Sequence, residues 1–231
     1  MGYVFAAPPQ AVVPVSGSTD LFPVRRIYCV GRNYVEHAQE MGFCGREPPF
    51  FFAKPADAVL PVAEATTGEL PYPPSTTDLH HEVELVVAIG RRAVAVSVED
   101  AAALIWGYAI GLDMTRRDLQ GEMKKQGRPW EVGKAFDFSA PIGPIRPVGQ
   151  TGLITRGRIW LQVNGAPRQE GDVGRMIWNV AETIAHLSRY FALAPGDLIF
   201  TGTPAGVGPV QRGDLMEAGI EGVGQIRVRV V

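Results

Sequence analysis

Two glutamates separated by one residue are the most chemically informative feature of the sequence. Glu82 and Glu84 follow two histidines and precede an apolar run. Because side chains alternate along a β-strand, both carboxylates would project from one face of the strand that we predict for residues 82–89. Adjacent negative charges on so apolar a segment need protonation, a cationic partner or a bound cation. An oxygen-only site favours Mg²⁺, before Mn²⁺ or Ca²⁺, over Zn²⁺.

Asp113 is the natural third carboxylate, because it ends a second apolar run over residues 105–112. A carboxylate at a neighbouring strand end could complete a metal site with Glu82 and Glu84. The same spacing is also compatible with a solvated strand face and a turn cap, since charged side chains usually face water.

His37 and Glu40 form a second candidate pair. They are three residues apart on a segment that we predict to be helical over residues 34–41, so their side chains can touch. A carboxylate that orients a histidine and raises its basicity makes a general base for water near neutral pH. The alternative is an exposed polar helix, on which such pairs are common.

Charged and glycine-rich segments follow these carboxylates. Residues 115–130 hold Arg117 and Gln120 among other polar residues, and they indicate either a lid that grips a substrate carboxylate or a solvated helix face. Lys134 lies in a mostly apolar stretch and needs an anionic partner. The loop over residues 201–209, which contains Thr203, lacks the Gly-Lys-Ser/Thr ending of a Walker loop, so a close approach to a small ligand or a tight turn remains.

The elements that must position these residues are mainly strands. Apolar runs predict strands at 27–30, 82–89, 105–112, 136–142, 198–201 and 225–231. One periodic helix is predicted from Ile177 to Phe191, stopped by a Pro-Gly pair. The pattern predicts an α+β fold dominated by mixed sheet with few helices. Residues 1–20 read as an extended arm, and residues 21–231 as a single domain.

Composition excludes several classes of function. The 231-residue chain has a formal net charge of -2 and a pI near 6.1, which leaves no basic excess for nucleic acid or an anionic membrane. Two cysteines without metal or redox spacing indicate a reducing compartment, and we predict a cytoplasmic protein. No apolar run approaches the roughly 20 residues that span a bilayer.

Taken in order along the chain, these motifs resemble the fumarylacetoacetate hydrolase family, in particular its small single-domain acylpyruvase branch. The resemblance extends over nearly everything from Arg26 onward, and the segments that carry it are 30–34 with His37 and Glu40, 80–84, 112–115 with Arg117 and Gln120, 133–134, 163–165 and 201–208. It implies a mixed β-roll, a homodimer and an Mg²⁺ site on Glu82, Glu84 and Asp113, with Mn²⁺ as a substitute. It also implies a water-activating His37–Glu40 dyad and a catalytic Lys134, with Arg32, Arg117, Gln120 and Thr203 around the ligand.

Within the branch, residues 22–28 and 48–57 look most like the fumarylpyruvate hydrolases of gentisate breakdown. The expected function is therefore metal-dependent cleavage of a carbon–carbon bond in a small 2-oxo acid, fumarylpyruvate, to fumarate and pyruvate. A decarboxylase of oxaloacetate or a related oxo acid is the closest alternative, and a tautomerase or hydratase is a third. A non-catalytic metal-binding scaffold is the alternative from another class, although it would not require His37, Glu40 and all three carboxylates together.

Overall fold

Four β-sheets and five short helices make up the part of the chain that the computed structural model describes, residues 2–35 and 46–231. The strands are β1 Val12–Pro14, β2 Leu21–Pro23, β3 Arg26–Gly31, β4 Phe50–Lys54, β5 Val59–Pro61, β6 Gly68–Leu70, β7 Leu79–His81, β8 Val83–Ile89, β9 Ile105–Leu112, β10 Thr115–Arg116, β11 Ala140–Ile142, β12 Arg146–Pro147, β13 Arg158–Val163, β14 Ala166–Asp172, β15 Asp197–Phe200, β16 Gly208–Val210, β17 Leu215–Ile220 and β18 Gly224–Val230. The α-helices are α1 Val98–Ala101, α2 Arg117–Lys125, α3 Glu131–Lys134, α4 Val148–Thr151 and α5 Val180–Tyr190, and single 3₁₀ turns lie at Ala56–Ala58, Ala102–Leu104 and Val173–Arg175.

The largest sheet runs in the order β4-β3-β15-β8-β9-β11-β5, with β12 paired to β9. It is mixed, because β15 is parallel to β3 and β11 is parallel to β5, whereas β8 and β9 are antiparallel. Every residue of β8 is buried, so this strand is covered on both faces. The α+β fold with a mixed sheet and few helices is confirmed.

The core lies on both faces of this sheet. One face of β8, with Val83, Leu85, Val87 and Ile89, packs in a cluster with residues of the five-stranded sheet β14-β13-β17-β18-β6. The opposite face, with Val86 and Ala88, packs against β1, β2 and β11. The predicted alternation of side chains along this strand is therefore correct. At the end of β8 next to Glu82, polar side chains take the place of the apolar ones.

The predicted late helix is shorter than expected. It runs from Val180 to Tyr190, and Asn179 and Glu182 form a capping box at its beginning. Ile177 lies outside it, because its backbone N–H donates to the carbonyl oxygen of Asn33 instead of a helical acceptor. Phe191 is extended and 41% exposed, so the buried stripe ends at Leu187.

The strand predicted for residues 136–142 was wrong in its first half. Only Ala140–Ile142 pairs with neighbouring strands, because Phe138 adopts a positive φ of 60° and the Ser139 N–H donates back to the Phe136 carbonyl oxygen. A positive φ at a bulky residue breaks a strand.

The N-terminal segment is packed over more of its length than an extended arm would be. Val12–Pro14 pairs with Leu21–Pro23, and Val13 is fully buried. The Ser16 N–H donates to the carbonyl oxygen of Ile145, which joins this hairpin to the body of the fold. Residues 2–9 are exposed.

No helix among residues 2–35 and 46–231 is long and apolar enough to cross a membrane.

Candidate active site

One cleft gathers all the predicted site residues that lie within residues 2–35 and 46–231. Its lining comprises these residues together with two aliphatic or glycine positions and three aromatic side chains: Val30, Gly31, Arg32, Phe50, Phe52, Glu82, Glu84, Asp113, Arg117, Gln120, Trp130, Lys134 and Thr203. His37 and Glu40 lie outside the described residues, so their predicted pairing stays a prediction.

The three carboxylates meet at the end of the β8–β9 pair. Glu84 is in β8, Glu82 immediately precedes this strand, and Asp113 immediately follows β9. The Asp113 N–H donates to the Glu82 carbonyl oxygen at 2.8 Å, which fixes the two chain segments side by side. One oxygen from each carboxylate lies within 4.8 Å of the others, and all three residues are buried.

Three cationic side chains face these carboxylates. The ammonium of Lys134 donates to Glu82 Oε2 at 2.9 Å and to Asp113 Oδ2 at 2.7 Å. Lys54 forms an ion pair with Asp113 Oδ1 at 2.8 Å, and Arg117 donates to Glu82 Oε1. The formal charges of these six residues cancel. Burial alone would lower the pKa of Lys134, but the charges of Asp113 and Glu82 outweigh it and raise this pKa.

Glu84 is the carboxylate least compensated by the surrounding cations. Burial raises the pKa of Glu84 well above its usual range, and the charges of Asp113 and Glu82 raise it further. Its only described neutral donor is the Gly202 N–H, at 2.7 Å. Three buried carboxylate oxygens at this separation, one of them poorly compensated, are a donor set that fits a divalent cation with a preference for oxygen.

Arg117 and Gln120 lie on the first turn of α2 beside the carboxylates. The Arg117 guanidinium donates to Gln120 Oε1 at 2.6 Å, and Gln120 is buried despite its polarity. The charged segment predicted for residues 115–130 therefore contains a helix whose first turn faces the cleft. The mutual contact holds an amide and a guanidinium, two groups suited to carboxylate recognition, at one side of the carboxylate cluster.

Thr203 is held by a buried glutamine that sequence reasoning missed. Its hydroxyl donates to the Val83 carbonyl oxygen at 2.8 Å and accepts from Gln169 Nε2 at 2.7 Å. The hydroxyl proton of Thr203 is therefore committed to the protein. On its other side, Gln169 Oε1 accepts from the Val83 N–H at 3.0 Å and from His81 Nδ1 at 2.9 Å. This contact places a proton on His81 Nδ1, because Gln169 Oε1 can only accept.

Burial, the largest influence, lowers the pKa of His81 from 6.5 to about 4. Between pH 6.5 and 4, His81 is therefore protonated in the unfolded chain but stays neutral in the folded chain. This difference lowers the free energy of unfolding as pH falls through that range. The expected loss is about 3 kcal/mol, at 1.36 kcal/mol per pKa unit. We expect His81→Asn to remove this component, measured by urea unfolding in EDTA at pH 7.5 and 4.5. The contributions of all other titrating groups cancel when the pH dependence of the variant is subtracted from that of the wild type. An identical pH dependence of the free energy of unfolding in both proteins would contradict the assignment.

Aromatic side chains form the side of the cleft nearest β3 and β4. The rings of Phe50 and Trp130 meet edge to face with centroids 5.3 Å apart, and Phe52 lies 5.8 Å from Trp130. The Arg32 guanidinium lies 5.0 Å over the Phe50 ring. Gly31 pairs with Phe50 across the two strands, and a Cβ at position 31 would lie 2.0 Å from this ring. The absent side chain at position 31 thus makes room for Phe50.

The described residues on the two sides of segment 36–45 form hydrogen bonds with the same loop, residues 176–178. The Asn33 side chain donates to the Trp178 carbonyl oxygen at 2.9 Å and accepts from the Trp178 N–H at 2.7 Å. On the other flank, Arg46 donates to the Ile177 carbonyl oxygen at 3.2 Å, and the Trp178 indole donates to the Glu47 carbonyl oxygen at 2.9 Å. The described residues on the two sides of this segment therefore lie next to the same loop.

Lys54 and Gln169 hold residues of this site in place, and the sequence assigned a role to neither. Lys54 had a usable signal, since a lysine that ends the aromatic run Phe50–Ala53 must find an anionic partner if it is buried. Gln169 had none, because it lies in the polar strand β14, where it is the one fully buried residue.

Comparisons with known proteins agree with this geometry. The family model described as "Fumarylacetoacetate (FAA) hydrolase C-terminal" matches residues 26–231. The crystal structure of fumarylpyruvate hydrolase from Pseudomonas aeruginosa, in complex with Mn²⁺ and pyruvate, is 56% identical and superimposes with a TM-score of 0.98, covering 100% of this chain and 99% of that one. The fumarylpyruvate hydrolase of Ralstonia sp is 46% identical over 80% of this chain and 93% of its own length. An oxaloacetate tautomerase of Escherichia coli is 41% identical over 87% and 90% of the two chains.

The match to the family covers every described residue of the cleft, from Val30 to Thr203. Relatives above 40% identity span more than two thirds of both chains. The resemblance predicted from the motifs is thereby confirmed, as is the prediction of an enzyme. The chain belongs to the fumarylacetoacetate hydrolase family.

Proposed function

We propose that this chain is an Mg²⁺-dependent hydrolase that cleaves the carbon–carbon bond of an acylpyruvate, with fumarylpyruvate as its substrate. The observation that carries the proposal is the buried triad of Glu82, Glu84 and Asp113 in the same cleft as Lys134, Arg117 and Gln120. The relative with Mn²⁺ and pyruvate supports it, because this relative and the present chain match over their full lengths.

Glu82, Glu84 and Asp113 would hold the cation, and Mg²⁺ or Mn²⁺ suits their oxygens. When bound, such a cation supplies Lewis-acid stabilisation of a developing enolate. Lys134 is the protein's own contribution to this stabilisation, because its ammonium stays protonated between Glu82 and Asp113. Arg117, Gln120, Arg32 and the loop at Thr203 would orient the carboxylates of the substrate.

His37 and Glu40 would activate the attacking water. In this scheme the histidine takes a proton from water as the hydroxide adds to the acyl carbonyl, and the carbon–carbon bond then breaks to give fumarate and the enolate of pyruvate. Decarboxylation of oxaloacetate needs no attacking water, and tautomerisation needs only proton transfer. The oxaloacetate tautomerases among the relatives make oxaloacetate tautomerisation the second candidate function.

The test of the proposed function is turnover of several oxo acids by one preparation. Fumarylpyruvate, other acylpyruvates and oxaloacetate are each offered with Mg²⁺, with Mn²⁺ and with EDTA. We expect fumarylpyruvate to give equal amounts of fumarate and pyruvate, with EDTA abolishing the reaction. A higher kcat/KM for oxaloacetate tautomerisation or decarboxylation than for any cleavage would overturn the proposal in favour of its rivals.

We also propose that the protein is a homodimer in the cytoplasm and acts as one catalytic domain. The reasons are the family resemblance and the cysteine usage of the chain. Light scattering coupled to size exclusion measures the mass of the particle directly, to be compared with 25.0 kDa for one chain.

Charge balance in the cleft leads to a prediction about ligand binding. Because the formal charges of the three cationic side chains and the three carboxylates already cancel, a divalent cation leaves an excess of positive charge, which an anionic oxo acid offsets. Saturating pyruvate is therefore expected to tighten Mn²⁺ binding about tenfold or more, within the usual range of coupling between two sites. Calorimetric titration with Mn²⁺ alone and with pyruvate measures this coupling.

Acetate serves as the control ligand in this titration, because it carries a carboxylate without the adjacent oxo group. We expect acetate to tighten Mn²⁺ binding much less than pyruvate does. Equal Mn²⁺ affinities with and without pyruvate would show that the two ligands are not coupled in this cleft.

A further inference from the structure

Lys54 is buried beneath the carboxylate cluster, at the end of β4, and its side chain has no exposed surface. Three oxygens surround its ammonium. Asp113 Oδ1 lies at 2.8 Å, the Met114 carbonyl oxygen accepts at 3.2 Å, and the Lys134 carbonyl oxygen accepts as well. The two carbonyl oxygens accept hydrogen bonds from this ammonium, and Asp113 Oδ1 is its ion-pair partner.

Each of these oxygens belongs to a part of the cleft that must be placed accurately. Asp113 presents Oδ1 to Lys54 and Oδ2 to Lys134 at 2.7 Å, so the two lysines fix the rotation of this carboxylate. The carbonyl oxygen of Lys134 also accepts from the Ser139 hydroxyl at 3.1 Å, which ties the end of α3 to the following turn. A single buried ammonium thus joins a metal ligand to the backbone of the residue proposed to stabilise the enolate.

From these contacts we propose that Lys54 is a positioning residue, which orients Asp113 toward the cation and holds Lys134 in the cleft without itself touching substrate. The inference rests on the proposed function for its effect on turnover. Its effect on metal affinity is independent of which oxo acid the enzyme uses. Partners that orient the ligands of a metal typically contribute about 10- to 100-fold to metal affinity or activity.

The experiment compares Lys54→Met with the wild type by calorimetric titration with Mn²⁺ and by turnover. The sign of the change in Mn²⁺ affinity discriminates between two roles. Methionine removes a positive charge near the cation, so a lysine that only neutralised charge would give tighter binding when replaced. A lysine that orients Asp113 gives binding about tenfold weaker or more when replaced. We expect the weaker binding, together with a kcat about a hundredfold lower and a KM within about threefold of the wild type.

Arg25→Met is the matched control for lost stability. Arg25 donates to both oxygens of buried Asp197 at 3.1 Å, so its replacement also leaves a buried carboxylate without its cationic partner, but outside the cleft. We expect its Tm to fall while its Mn²⁺ affinity and kcat stay at wild-type values. If Arg25→Met lost as much affinity and kcat as Lys54→Met at a similar Tm, general destabilisation would replace the positioning role.

If Lys54→Met does not fold, the same measurements are made on Lys54→Arg. The guanidinium keeps the positive charge, but its planar donors cannot reach all three oxygens in the geometry of an ammonium. Weaker Mn²⁺ binding and a lower kcat in folded Lys54→Arg support the inference. Wild-type Mn²⁺ affinity in either folded variant overturns it. Turnover of fumarylpyruvate by the wild type checks the proposed function, and the Mn²⁺ affinity of the variants checks the positioning role, so the two failures are distinguishable.

Discussion

Replacing Glu84 with glutamine is expected to reduce Mn²⁺ affinity and turnover by more than about a hundredfold, beyond what outer partners of a metal typically contribute. An amide supplies an oxygen of similar shape but not the charge that a divalent cation requires. The fold should tolerate the change. Burial and the nearby carboxylates raise the pKa of Glu84 in the metal-free protein, so a neutral side chain at this position is favoured there.

The sign of the stability effect follows from the same shift. A carboxyl whose pKa is raised on folding stabilises the folded state at low pH, and this contribution is lost as pH rises through the folded-state pKa. Metal-free Glu84→Gln should therefore have a Tm at neutral pH equal to or higher than that of the wild type. Thermal unfolding in EDTA, Mn²⁺ titration and turnover of fumarylpyruvate measure the three quantities on one preparation.

Glu217→Gln is the matched control for this substitution. Glu217 is also a glutamate within a strand, but it lies on β17 away from the cleft, where it pairs with Arg227 at 2.9 Å. We expect this variant to keep Mn²⁺ binding and turnover. Near-normal activity and metal response in Glu84→Gln would remove Glu84 from the metal site.

Replacing His37 with alanine is expected to lower hydrolysis of fumarylpyruvate by roughly two to four decades, the usual contribution of a general base. Metal binding should not change, because the proposed ligands are Glu82, Glu84 and Asp113. Any oxaloacetate decarboxylation should fall much less, since it needs enolate stabilisation but no activated water. Glu40→Gln should follow the same pattern more mildly, because it removes only the group that orients the base.

Both reactions are measured at saturating metal with the wild type and the two variants, and Mn²⁺ titration verifies that the metal site is intact. Equal losses in hydrolysis and decarboxylation would show that His37 acts on a step common to both. Unchanged hydrolysis would exclude the dyad from the mechanism.

The sequence predicted the parts of the site that follow from local rules. The two-residue period of a strand placed Glu82 and Glu84 together, and the end of the next strand supplied Asp113. The antiparallel pairing of β8 and β9 then brings Asp113 beside Glu82, as the spacing had indicated. These predictions needed only periodicity and the cost of burying like charges.

The parts that were missed depend on contacts between distant segments. Gln169 reaches His81 and Thr203 only because β14 folds over the end of β8, and nothing in its own strand marks it as buried. Phe138 breaks the strand predicted for residues 136–142, because its backbone turns to a positive φ. Tertiary packing determines the conformation and burial of such residues, and the secondary-structure propensity of a segment does not contain that information.

The pairing of Gly31 with Phe50 also bears on how this family can vary. The two residues are cross-strand neighbours, and a Cβ at position 31 would occupy the space of the Phe50 ring. A homologue with a side chain at position 31 therefore needs a smaller or displaced side chain at position 50, whereas a smaller residue at position 50 needs no change at position 31. Because Phe50 lines the cleft, the space available to a ligand depends on a pair of positions, one of which is a glycine without a side chain.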